Sequence, residues 1–147
     1  MRGSARRGLA EWLIAACGAG LMGLRLYFIF FRPALLPEDT RSIGSSLAEI
    51  RATLPGLEGW LNRVFAVMGG FIAGTGVLTV FIAWVAMPAG FKGTSWVIAL
   101  TGALTVALMS VTNFSLNSDF KWLLLVPALV WLAGLVLHVA SQRRHRD

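Results

Sequence analysis

The sequence predicts an all-α integral membrane protein: four transmembrane helices in an antiparallel bundle, with an amphipathic helical segment in the loop between helices 1 and 2. Three observations carry that prediction. Of 147 residues, 56% are apolar and only 14% charged, where soluble domains carry about 25% charge. Mean hydropathy is +0.71. The charges cluster, which leaves four apolar tracts, each long enough as a helix to cross a hydrocarbon core of about 30 Å at about 1.5 Å per residue. The tracts show no two-residue alternation, and open strand edges are not tolerated in lipid, so helices are expected rather than strands. Residues 1–147 are expected to form one domain.

The first span is expected over Leu9–Phe31 and is closed by Arg32-Pro33. Its start, with Arg6-Arg7 and Ile14-Ala-Ala-Cys17, has features of a cleavable signal. Against cleavage, Glu11 interrupts the would-be signal core and the apolar run continues unbroken to Phe31. The second span is expected over Val64–Met87, with Pro88-Ala-Gly90 and Lys92-Gly93 joining it to a third at Ser95–Leu116. Asn117-Ser-Asp119 then makes a tight joint to a fourth at Phe120–Ala140. Trp12, Trp60, Trp84, Trp96 and Trp122 fall near span ends, where amphipathic rings prefer the headgroup level; Trp131 falls mid-span.

Arg2, Arg6, Arg7, Lys92, Arg143, Arg144 and Arg146 lie on one side of this arrangement, and Arg32, Arg41, Arg51, Arg63 and Lys121 on the other. The positive-inside rule then places both termini in the cytoplasm, with the protein multi-pass in a cell membrane of the bacterial inner-membrane kind and 32–63 outside. The net charge of +6 points to anionic lipid headgroups; no nucleic-acid-reading motif is present. Cys17 is the sole cysteine, so neither an intrachain disulfide nor a cysteine-based metal site is expected.

Gly69, Gly70, Gly74 and Gly76 crowd the second span. A phosphate loop would need Lys and Ser or Thr after its last glycine, and a dinucleotide fingerprint a preceding strand; both are missing. Gly70-x3-Gly74 instead places two glycines one turn apart in an apolar helix, which predicts close helix packing. Gly69 and Gly76 repeat the feature on another face, and Ala16/Gly20, Ala19/Gly23 and Ala103/Ala107 offer similar small pairs.

Polar groups at membrane depth are costly and therefore informative. Arg25 sits roughly 8 Å past the middle of the first span. It either snorkels to the surface or pairs with an acid, for which Glu38, Asp39 and Asp119 are the candidates; Glu11 is about 21 Å away along the axis. Thr101, Thr105 and Thr112 form a stripe within about 40° on the third span, extended by Ser110 and Asn113. Such hydroxyls bond back to the helix more often than they line a path, yet together with Trp131, beside a Pro127 kink, they are the candidate cavity lining. His138 lacks a partner at metal-binding spacing. In the long loop, Leu47, Ile50, Leu54, Leu57 and Leu61 recur at helical spacing around Pro55, which predicts an amphipathic segment on the membrane or capping the bundle.

There is no serine–histidine–acid set, zinc-binding histidine pair or embedded carboxylate pair, so neither a catalytic site, a metal nor a cofactor is expected. The expected role is non-catalytic: an accessory or scaffold subunit, or a lipid-interacting module. Its expected partners are membrane lipids and either further copies of itself or a larger membrane complex. The alternatives are an oligomeric channel or transporter for a small polar or anionic solute, and a membrane enzyme acting on a lipid-like substrate.

Overall fold

The computed structural model describes residues 8–144, and every regular element among them is a helix. Arg2, Arg6, Arg7 and Arg146, used above for orientation, lie outside the described residues. Four helices are long and apolar enough to cross a membrane: α1 (Leu9–Phe30), α4 (Leu57–Ala89), α5 (Thr94–Ser115) and α6 (Lys121–Arg144). Two short helices, α2 (Pro37–Ile43) and α3 (Leu47–Thr53), occupy the loop between α1 and α4.

The spans lie where hydropathy puts them, with two extensions. α4 starts at Leu57 rather than Val64, because Pro55-Gly56 ends α3 and nothing afterwards stops a helix. Leu57 and Leu61 therefore belong to the long helix, and the loop pattern is split at Pro55. α6 continues past Ala140 to Arg144, since Ser-Gln-Arg-Arg contains no breaker and the final arginines favour a helix C-terminus. It also runs unbroken through Pro127. The joints use left-handed backbone where expected: Gly90 at φ 66° closes α4, and Asn117 at φ 48° turns the chain between α5 and α6.

Both α4 and α5 contain a π turn that hydropathy gave no reason to expect, at Ile82–Ala86 and Ala103–Ala107. In each the hydrogen bond skips a residue: Met87 N–H donates to Ile82 O, and Leu108 N–H to Ala103 O. The widened turns face inward, with Ala83, Met87 and Val106 buried. Together with Ile14, Cys17, Leu21, Ile98 and Trp131 they form the core.

α1 packs against both α4 and α6, and α5 packs against α6. Each contact is built on a glycine. A Cβ on Gly18 would lie 2.8 Å from Gly76 O, and one on Gly76 would lie 2.6 Å from Gly18 O, so α1 and α4 meet backbone to backbone. Gly134 of α6 receives Ile14 of α1, and Gly102 of α5 receives the Trp131 indole of α6. Trp12 and Trp84 close the α1–α4 contact edge to face, with ring centroids 5.6 Å apart.

Candidate functional site

The polar groups concentrate where α1 ends, where the short loop helices sit and where α5 turns into α6. Arg25 on α1 and Arg32, two residues past its end, both reach α4. Arg25 Nη1 donates to Ala66 O at 2.7 Å, and its side chain lies across Gly69, where any Cβ would come within 2.2 Å of that nitrogen. The Arg32 guanidinium stands 4.0 Å over the Phe65 ring, a cation–π contact one residue before Ala66, whose carbonyl accepts from Arg25.

The loop acids are engaged elsewhere. Asp39 Oδ2 accepts from Leu36 N–H at 2.8 Å, which caps α2, and from Arg32 Nη2 at 3.4 Å. Glu38 is buried, and its Oε1 accepts from the Ser118 hydroxyl at 3.2 Å. Ser118 Oγ in turn accepts from Phe120 N–H, so one hydroxyl ties α2 to the α5–α6 turn. Asp119 pairs with Arg41 at 3.3 Å, both largely exposed, a link worth about 0–1 kcal/mol.

Arg25 therefore meets a backbone carbonyl, and none of the acids proposed for it from the sequence. Among the described residues this is its one acceptor. An arginine near the end of a span can snorkel, but here its terminal nitrogen is tied to α4. Glycine made the tie possible.

α3 is held separately. Ser46 and Glu49 form a reciprocal cap, and Arg51 bridges the Pro55 break to Glu58 at 3.0 Å. The Ser46 N–H and the Ser45 and Ser46 hydroxyls hold the Glu49 carboxyl below its usual value.

The third-span hydroxyls turn to backbone. Thr105 Oγ1 donates to Thr101 O at 2.6 Å, Ser110 Oγ donates to Val106 O and Leu124 O, and Asn113 Nδ2 donates to Met109 O. Thr101 is half-buried and Thr112 exposed. Trp131 is buried, with its indole N–H on Ile98 O at 2.9 Å, so it fills the core. An apolar cavity of about 280 Å³ lies nearby between α1 and α6, bordered by Cys17, Gly20, Met109 and Pro127. Cys17 Sγ donates to Pro127 O at 3.6 Å.

The sequence-predicted glycine pair stands apart from all of this. A Cβ on Gly70 or Gly74 would meet nothing within 4 Å among the described residues, while Gly69 and Gly76 make the close approaches to α1. At about 100° per residue the two pairs occupy different faces of α4, and only one of those faces meets α1. Ser118, Gly18, Gly102 and Gly134 were not singled out from the sequence; the buried glycines each lie in an apolar helix, but their partners are distant in sequence and leave no local signal.

At the other end, Glu11 borders a cavity of about 540 Å³ with Ser141 and Arg144. Its Oε2 has no hydrogen-bond partner among the described residues. His138 is buried in α6, with Nε2 3.0 Å from Gln142 Nε2.

No family model, curated protein or solved structure matches the chain.

Proposed function

We propose that the chain is a non-catalytic integral membrane subunit, an accessory or scaffold element whose outward helix faces receive transmembrane helices of other chains. The observation that carries this reading is the second glycine pair of α4. Gly70 and Gly74 form a small-residue notch that the described residues leave open, flanked by exposed Val67, Phe71, Val77 and Leu78. In lipid, where apolar burial gives no driving force, such a notch lets a partner backbone approach closely.

The reading includes an antiparallel bundle, supported by the opposite order in which Trp12, Gly18 and Arg25 meet Trp84, Gly76 and Gly69. α2 and α3 form an amphipathic cap on the non-cytoplasmic side, and both termini lie in the cytoplasm of a cell membrane. Cysteines at Ser46 and Ser141 in a Cys17→Ala background should then label from opposite sides of intact cells, Ser46 from outside. Labelling of both from one side would remove the four-span topology.

The function itself is tested by assembly. Gly74→Leu should abolish cross-linked or co-purified complexes while leaving the isolated chain folded, and Leu78→Ala should not. Equal assembly of the two variants would mean that this face looks at lipid. Flux through purified protein in liposomes is the readout for the channel alternative.

A further inference from the structure

Among the described residues the charge on Arg25 has no acidic counterpart. The sequence holds seven acids. Asp39, Glu58 and Asp119 are paired with Arg32, Arg51 and Arg41. Glu38 is bound by Ser118, and Glu49 by Ser45 and Ser46. Glu11 begins the opposite end of α1, and Asp147 lies outside the described residues.

The guanidinium nevertheless does not float free. Gly69 gives it a seat, and the Ala66 carbonyl takes one of its five N–H donors. This fixes the fork on the outer edge of the α1–α4 contact, where Arg25 remains half-exposed. Its position is five residues before the end of α1 at Phe30, about 8 Å along the axis. That distance lies within reach of the headgroup layer for a long side chain. An acceptor at this level must accept several donors and carry negative charge.

We propose that Arg25, seated on Gly69 and tied to Ala66 O, binds the phosphodiester of a phospholipid headgroup, with preference for anionic lipid. A phosphate oxygen pair matches the planar fork of a guanidinium, which a lysine ammonium cannot reproduce. Arg32, held over Phe65 and against Asp39, is neutralised by its own acid and leaves the site's charge to Arg25. The proposal rests on the chain spanning a membrane and is separate from the outward Gly70/Gly74 face.

The test uses the full chain purified in detergent, with phosphatidylglycerol added and bound lipid counted by native mass spectrometry. Arg25→Gln should weaken phosphatidylglycerol binding about tenfold or more, the loss expected for one charge-assisted pair. Arg25→Lys should behave like Arg25→Gln. Arg51→Gln, which removes an equal charge already paired with Glu58, should bind as wild type. Gly69→Ala keeps the arginine but displaces its flexible tip, and should reproduce the loss; it decides the matter if Arg25→Gln does not fold. Binding by Arg25→Gln or Gly69→Ala equal to wild type would overturn the proposal. So would displacement of the lipid by millimolar inorganic phosphate, which would make the ligand a free anion.

Discussion

α4 carries two pairs of glycines on two faces, and their environments are opposite. Gly76 meets the backbone of α1 and Gly69 the side chain of Arg25, whereas a Cβ on Gly70 or Gly74 would meet nothing within 4 Å among the described residues. All four have the same composition and the same apolar surroundings in sequence. A glycine pair one or two turns apart thus signals that a close approach is available, without saying to whom. On one face the notch is filled from within the chain, and on the other the described residues leave it open.

The largest expected effect breaks this comparison if it fails. Gly76→Leu must push apart Gly18 and Met22, where a single Cβ already comes within 2.6 Å of backbone. It should destabilise the chain by about 3 kcal/mol in detergent unfolding. Gly74→Leu should leave intrachain stability within about 0.5 kcal/mol. Equal destabilisation by both would mean that the two faces are not distinct.

A second test sharpens the inward case by changing the occupant of a glycine notch rather than the notch. Trp131 fills the notch at Gly102 and donates to Ile98 O. Trp131→Phe keeps most of the ring but leaves that buried carbonyl without this donor, so unfolding should show a loss of about 1–2 kcal/mol.

Arg25 lies at the outer edge of the inward face, and its coupling to acids should be small. In a double-mutant cycle, Arg25→Leu and Asp39→Asn should add within about 0.5 kcal/mol. Coupling well above that would bring Asp39 back as its partner and would remove the need for a lipid counter-charge.

The smallest effect belongs to α3, outside both faces. Its Glu49 is held below the ordinary carboxylate value of 4.5 by the Ser46 N–H and the neighbouring hydroxyls. The cap is therefore fully present above the unfolded-state pKa and is lost as pH falls through the lower folded value. Amide exchange at Ile50, corrected for intrinsic rate, should accelerate in that acid window while α4 stays protected. Uniform acceleration along the chain would tie α3 to the spans more tightly than its contacts indicate.

In the loop, the break at Pro55 was legible in the sequence; the Asp39 and Ser46–Glu49 caps are equally local, set by residues three positions apart, but were not among the features expected above. Ser118 on Glu38 was not readable. The two residues are 80 positions apart, and each also occurs in an ordinary turn or helix-start context.

The sequence by itself determined the all-helical class, the four helices long and apolar enough to cross a membrane, and their joints. Hydrocarbon thickness and backbone hydrogen bonding act on each segment separately, so length and hydropathy are enough. Only the tertiary structure decided which glycines touch, which acid belongs to which arginine and that Arg25 rests on a carbonyl. These depend on how each helix is rotated about its axis and slid along its neighbour. Within α4 and α5 a π turn inserts one extra residue, turning every later face by about 100°. A pattern counted at ideal spacing cannot register that shift.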